Sequence, residues 1–447
     1  MNLIKSDKKF YLNLASYLVL SLPIFIIFSR FLADFSIVLL SILFFIIRGN
    51  NKILENKIIL ISFIFIFFST ISSILSSNIL ISVKSSLLHI RFIFFSLAVS
   101  LVFIYFKENF LKKLFYIFLG CYLVFFIDAT FQFIFKQNII GYIADPTNRI
   151  SSFFFDELVL GSYLVRLFPI VVFLYFLLNI KFNKYFIIYF LSHLYFVTFI
   201  TGERVAFFML IIYYIFFGIL LIKKIKYKLI YIIIFILILL LTNFSSNILK
   251  TRTSLESIHG QFTEFNYTIC NNTKKQIKSE PELKKKWNTF VPNCDPIFEV
   301  SGVKFYHYLS IMHFNHYITA FEIFKDNKYF GIGPKNYRFV CNESEYYLNE
   351  FSCSTHPHNY YIQLLAETGL FGSLSFIFIY LTFLYLFFRV IFKVDTKHSL
   401  LKLILITSFL VNFLPILPSG NFFNNWISIL YSFPLGLLLG IYKLDKY

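Results

Sequence analysis

The sequence predicts an all-α, polytopic membrane protein with about twelve transmembrane helices and a large, partly helical outward loop before the last three spans. Three observations carry this. The 447-residue chain is 58% hydrophobic, with 64 Phe and a mean hydropathy of +0.73, which is more apolar surface than a water-soluble fold can cover. Apolar runs of roughly 17 to 25 residues, the length that crosses a hydrocarbon core of about 30 Å, recur along it. Lys and Arg gather in alternate connections between those runs.

The first run, 10–30, follows a basic N-terminus. It is too long for a signal-peptide core and no small-x-small cleavage site follows, so it is expected to remain as a span. The second, 34–48, is short for a full crossing. Runs at 57–75, 87–106, 112–135, 158–180, 184–200, 205–222 and 228–246 complete a first group of nine, and 369–390, 401–418 and 425–443 form the last three. No internal repeat at a fixed period accompanies them, so an inverted-repeat transporter gains no support. The expected organisation is therefore nine spans in 1–246, a loop over 247–368, and three spans in 369–447.

Positive charge orients the spans. Lys5, Lys8 and Lys9, then Arg48, Lys52 and Lys57, then Lys107, Lys112 and Lys113 mark one side, as do Lys223, Lys224, Arg389, Lys393, Lys443 and Lys446. The short loops on the other side are poor in cations, which puts both termini in the cytoplasm and 247–358 outside. The net charge of +18 sits mostly beside helix ends, where topology and snorkelling explain it, and no soluble basic domain exists to hold nucleic acid. Cys270, Cys294, Cys341 and Cys353 all fall in the outward loop, consistent with an oxidising compartment. Pairing Cys270 with Cys294 and Cys341 with Cys353 is the simplest of three possibilities, and the sequence does not choose among them. A zinc site lacks CxxC spacing.

Inside the loop, Asn271 to Trp287 is polar and Lys-rich and is expected at the surface, whereas Tyr306 to Phe324 has helical spacing and is expected to pack on the membrane domain. A second outward connection, Asp145 to Glu157, brings Arg149 to the outer interface. Asp128 and Arg166 lie within spans, where charges are expensive; they are either functional or a structural pair.

Candidate chemistry lies at the outer face. The turn Thr201-Gly202-Glu203-Arg204 holds a guanidinium that can clamp phosphate oxygens bidentately; the alternative is an interfacial Arg paired with Glu203. Lys250 and Arg252 add cations nearby, and several such groups together point to an anionic lipid head group or lipid diphosphate. His356 and His358 flank Pro357 where the chain turns apolar again. A near-neutral imidazole can take a proton from a sugar hydroxyl; metal ligation and a structural surface role are the alternatives. Asn359 either holds the imidazole or caps the following helix, expected over 360–368 and ending at Gly369.

The stretch Gly331-Ile332-Gly333-Pro334-Lys335-Asn336-Tyr337, followed by His358-Asn359-Tyr360-Tyr361-Ile362-Gln363-Leu364-Leu365-Ala366-Glu367-Thr368-Gly369-Leu370-Phe371-Gly372, resembles the signature of the O-antigen ligase and O-antigen polymerase family. The number of spans, the position of the large loop and the Thr201 to Arg204 turn match as well. The resemblance implies a metal-independent, cofactor-free glycosyltransferase of the GT-C type in the bacterial inner membrane, acting at the periplasmic face. Its donor would be an undecaprenyl diphosphate-linked glycan. Its acceptor would be lipid A-core in a ligase or a second carrier-linked glycan in a polymerase, and protein O-oligosaccharyltransferases share the signature. Carried over, His358 matches the family's essential His and Arg204 its diphosphate-binding Arg. Arg252 is the best match to the second loop Arg, with Arg149, His356 and Arg338 as further substrate-binding candidates. Where many members have Arg and an aromatic ahead of Glu322, this chain has His313 and Tyr317, and Arg338 or Lys335 is expected to substitute.

Displacing a diphosphate from an anomeric carbon needs positive charge on the leaving group and a base for the attacking hydroxyl, and Arg204 with His358 supplies both. A polyprenyl-glycan flippase or other transporter is the reading from a different class. The outward loop with its His-Asn helix start speaks against it, since transporters concentrate functional groups near the midplane.

Overall fold

The computed structural model describes residues 2–48, 56–143, 149–221, 297–300, 303–306, 311–347, 352–392 and 397–444. Among them, eight helices are long and apolar enough to cross a membrane and three shorter apolar helices accompany them, so the chain is a multi-pass membrane protein. The run at 228–246, the Asn271 to Trp287 segment, Arg252, Cys270 and Cys294 lie outside the described residues.

Helices α1 (Asn2–Phe28) and α2 (Arg30–Ile47) meet at Ser29, whose extended backbone breaks the helix and whose hydroxyl accepts from Leu32 N at 3.2 Å. The second span is thus a full 18 residues, longer than the sequence suggested, because the break falls earlier than Arg30. Helix α3 (Lys57–Ile74) leads to a short α4 (Ile79–Leu87), which the hydropathy pattern does not isolate. Helical residues then run from Ile90 to Phe135 (α5). A straight helix would separate Phe95 from Phe118 by roughly 35 Å, yet both rings pack on Phe433, at 6.0 and 5.8 Å. The chain therefore doubles back between them, giving the two spans expected at 87–106 and 112–135.

A 3-10 turn at Ser152–Phe154 precedes α6 (Leu160–Leu177), α7 (Lys184–Ile200) and α8 (Arg204–Leu221). Asp128 and Arg166 do not pair. The Asp128 carboxylate takes Ile139 N at 2.8 Å and the Ser152 hydroxyl, while Arg166 donates from Nη1 to Asn412 Oδ1, so each charge is engaged by a different loop or helix.

In the loop, β1 (Ile297–Val300) and β2 (Val303–Tyr306) pair antiparallel, and helix α9 (Ile311–Asp326) follows. The helix expected from Tyr306 thus begins five residues later, because Val303, Phe305 and Tyr306 favour the extended chain. After a single helical turn, α10 (Tyr337–Val340), come α11 (Tyr360–Ile391), α12 (Lys397–Asn412) and α13 (Asn425–Leu444). Helix α13 lies tight on the first half of α5: a Cβ at Gly436 would sit 2.7 Å from Ser96 O, and one at Gly440 2.4 Å from the Phe103 ring. Its first turn meets the end of α1, where Trp426 Nε1 donates to Ile26 O at 3.3 Å.

Candidate active site

Three glycines bring two stretches of backbone together at the foot of the site. Ile332 N and Gly333 N donate to Ala366 O and Glu367 O at 3.0 and 2.8 Å, and Leu370 N donates to Lys328 O at 2.8 Å. Gly331, Gly333 and Gly369 all have positive φ, and a Cβ on Gly331 or Gly369 would lie 2.6 or 2.4 Å from the opposing backbone. Gly369 breaks α11 into a short first piece and the span beyond, as the sequence indicated. Gln363 and Glu367 lock this arrangement from inside. Gln363 accepts Phe422 N at 2.9 Å and donates to Glu367 at 2.9 Å, while Ser72 holds Glu367 O at 2.7 Å. A disulfide joins Cys341 to Cys353 and ties the segment before the histidines to α10.

At the top of α11, Asn359 accepts Tyr361 N and Ile362 N at 3.0 and 3.2 Å and donates to Pro415 O, so it is a helix cap and not the orienter of an imidazole. His358 just before it sits at φ 59, a backbone that an L-residue rarely takes and that turns its side chain out of the helix line. Its carbonyl accepts Ser419 N at 2.8 Å. Three more imidazoles surround its ring: His356 at 4.2 Å, and His313 and His316 from α9 each at 5.4 Å between centroids.

These rings are not equivalent. Both nitrogens of His356 are engaged, Nδ1 with Thr355 Oγ1 at 2.8 Å and Nε2 with Ser419 O at 3.1 Å, and the residue is buried. His316 Nδ1 meets Ser352 O at 3.2 Å. The His358 ring has no hydrogen bond among the described residues, leaving it available to substrate. Burial, reinforced by the neighbouring His356, His313 and His316, pushes His358 down to about 3; burial also lowers His356 to about 4, against the pull of the Ser419 carbonyl. No group of three or more His, Cys, Asp or Glu among the described residues is arranged to hold a metal ion.

Across from the histidines, the turn at Thr201–Arg204 is fixed by its acid. Glu203 Oε1 and Oε2 accept Gly161 N and Ser162 N, at 2.6 and 3.0 Å, at the N-terminus of α6. A carboxylate there is favoured by the helix dipole. Burial nonetheless holds Glu203 above its ordinary value, opposed by those hydrogen bonds and by Arg149. Arg149 lies over Gly202, whose φ is +64, and donates from Nε to Thr201 O at 3.0 Å. Arg204, the first residue of α8, is exposed beyond this clasp. Its charge reaches His313, where burial, His316 and Arg204 together lower the imidazole.

A cavity of about 1240 Å³ joins the two sides. Arg149, Arg204, His356 and His358 all line it, and so do Arg166, Lys335 and His313. An Arg30 to Glu157 ion pair stands on the same wall. Arg338 is not among the lining residues; its guanidinium turns toward Thr355 O at 3.5 Å. Sequence reasoning noticed His313 only as a departure from a pattern and missed His316 altogether. The pair at i and i+3 on one helix was the available signal.

A family model described as O-Antigen ligase matches residues 186–377 of the chain. That segment begins in α7 and ends in α11, so it includes both Arg204 and His358. No curated protein matches the chain.

Proposed function

We propose that this membrane protein, whose residues 186–377 match the family model described as O-Antigen ligase, is a glycosyltransferase. It moves a glycan from undecaprenyl diphosphate to lipid A-core at the periplasmic face of the inner membrane. The observation that carries this reading is that Arg204 and His358, far apart in sequence, line one cavity together with His313, whose ring meets that of His358 and feels the charge of Arg204.

The donor diphosphate binds at Arg204, which Glu203 holds in place through α6. The acceptor hydroxyl lies at His358. Its oxygen attacks the anomeric carbon, the bond from that carbon to the diphosphate oxygen breaks, and the electron pair leaves with the diphosphate. The hydroxyl proton passes to His358. Arg204 stabilises the charge that grows on the leaving group, where a preorganised cation is worth most. His358 stands unprotonated at neutral pH and so can accept; an anionic diphosphate in the cavity draws its pKa upward and strengthens it as a base. Attack opposite the leaving group inverts the anomeric centre.

The test is reconstitution with carrier-linked glycan and, in separate reactions, lipid A-core or a second carrier-linked glycan. Transfer to lipid A-core with inversion is the expected result. Extension of the carrier-linked glycan alone makes the protein a polymerase, and retained stereochemistry rules out direct attack.

A further inference from the structure

A second, smaller pocket of about 200 Å³ adjoins the main cavity and shares Lys335 and Asn425 with it. Its other walls include Lys84 from α4 and Arg91 from the start of α5. We propose that Lys84, Arg91 and Lys335 form a binding site for a lipid-borne phosphate. As a substrate subsite, holding the acceptor beside the diphosphate at Arg204, this rests on the transfer reaction proposed above.

Charge is the first argument. Three cationic side chains line it against two acids: Asp34, engaged by Arg91 Nη2 at 3.6 Å and by Asn425 Nδ2 at 2.7 Å, and Glu367, which takes the Lys335 backbone N–H. Lys84 and Lys335 make no ion pair among the described residues. Arg91 Nε is buried without a hydrogen-bond partner, a state that a bound anion would relieve. Burial, with Arg338 and Arg91 as like charges, holds Lys335 below its ordinary value against the opposing pull of Glu367 and Asp34.

Construction is the second. Lys335 has φ 63, a strained backbone for a side chain, and the strain is held in place from both sides. Ser82 of α4 donates to Pro334 O at 2.8 Å and accepts Asn336 Nδ2 at 3.0 Å, so α4 and the Lys335 turn are built against each other. Depth is the third. Leu80, Leu87 and Leu88 are exposed on and beside α4, which suits a helix lying on lipid with its lysine at the level of head-group phosphates.

Binding is tested on full-length protein carrying Arg204→Ala, so that the diphosphate site does not contribute, in a neutral detergent titrated with inorganic phosphate and followed by phosphorus NMR. Saturable binding is expected, weakened about tenfold by adding Lys84→Gln and more by Lys335→Gln, since each removes a charge-assisted contact. No saturable binding, or binding unchanged by Lys84→Gln, overturns the proposal. This result stands whether or not the chain transfers glycan.

The source of the phosphate is read separately, with Arg204 intact, from the acceptor KM of Lys84→Gln. A rise of about tenfold in KM at constant kcat, matched by the wild-type protein on dephosphorylated acceptor, assigns the phosphate to the acceptor. A rise with no penalty for the dephosphorylated acceptor assigns it to bulk phospholipid and overturns the substrate subsite.

Discussion

The ring of His313 stands nearly perpendicular to that of His358, 5.4 Å away, and feels the charge of Arg204. One imidazole thus links the proposed base to the proposed diphosphate clamp. His313→Ala removes one of the groups that hold His358 low. The acid limb of the kcat/KM profile is therefore expected to move to higher pH, with a fall in kcat of less than about tenfold. An unmoved limb separates His313 from the base.

Acid should also loosen the fold. His356 and His358 are held at about 4 and about 3, whereas in the unfolded chain both titrate near 6.5. Below about pH 6.5 the unfolded state takes up protons that the folded cluster refuses. Stability is thus complete above that pH and declines as pH falls from about 6.5 toward about 4. Thermal unfolding in detergent between pH 7.5 and 5 measures it, and His356→Gln is expected to flatten the slope.

Gly369→Ala places a Cβ 2.4 Å from the Tyr329 carbonyl at a φ of +62. Backbone strain alone costs about 1 to 3 kcal/mol, and the clash pushes Tyr329 off the break in α11. A fall in unfolding temperature together with loss of transfer is expected, while Gly120→Ala, in open space, is neutral.

Glu203→Gln keeps the shape of the clasp on α6 but removes its charge. Losing charge-assisted hydrogen bonds to Gly161 N and Ser162 N is expected to destabilise the protein by about 1 to 3 kcal/mol. Because Arg204 is the next residue, donor KM should rise. Glu203→Asp, which retains the charge at shorter reach, should recover part of the stability, and calorimetry with donor titration reads both.

Much of this was legible from the chain. Apolar length gave the spans, since a bilayer leaves few other solutions. The glycines at 331, 333 and 369 and the cap at Asn359 announced a tight turn and a helix start, and the structure has both. Long-range pairing was not legible. Asp128 and Arg166 look like partners by sequence, but hydrogen bonds from Ser152 and to Asn412 engage them separately. The four-histidine cluster draws on α9 and the segment before α11, and only tertiary packing makes its members neighbours. Short α4 was hidden because hydropathy merges it with α5.

In the proposed reaction, Arg204 and His358 perform different parts of one transfer. Donor binding and transfer should be measured side by side on His358→Ala and Arg204→Ala protein reconstituted in lipid with undecaprenyl diphosphate-linked glycan and lipid A-core. His358→Ala is expected to keep donor binding and lose transfer by at least about a hundredfold, and Arg204→Ala to lose donor affinity as well as rate. Full transfer by the His358→Ala protein would mean that His358 is not the base.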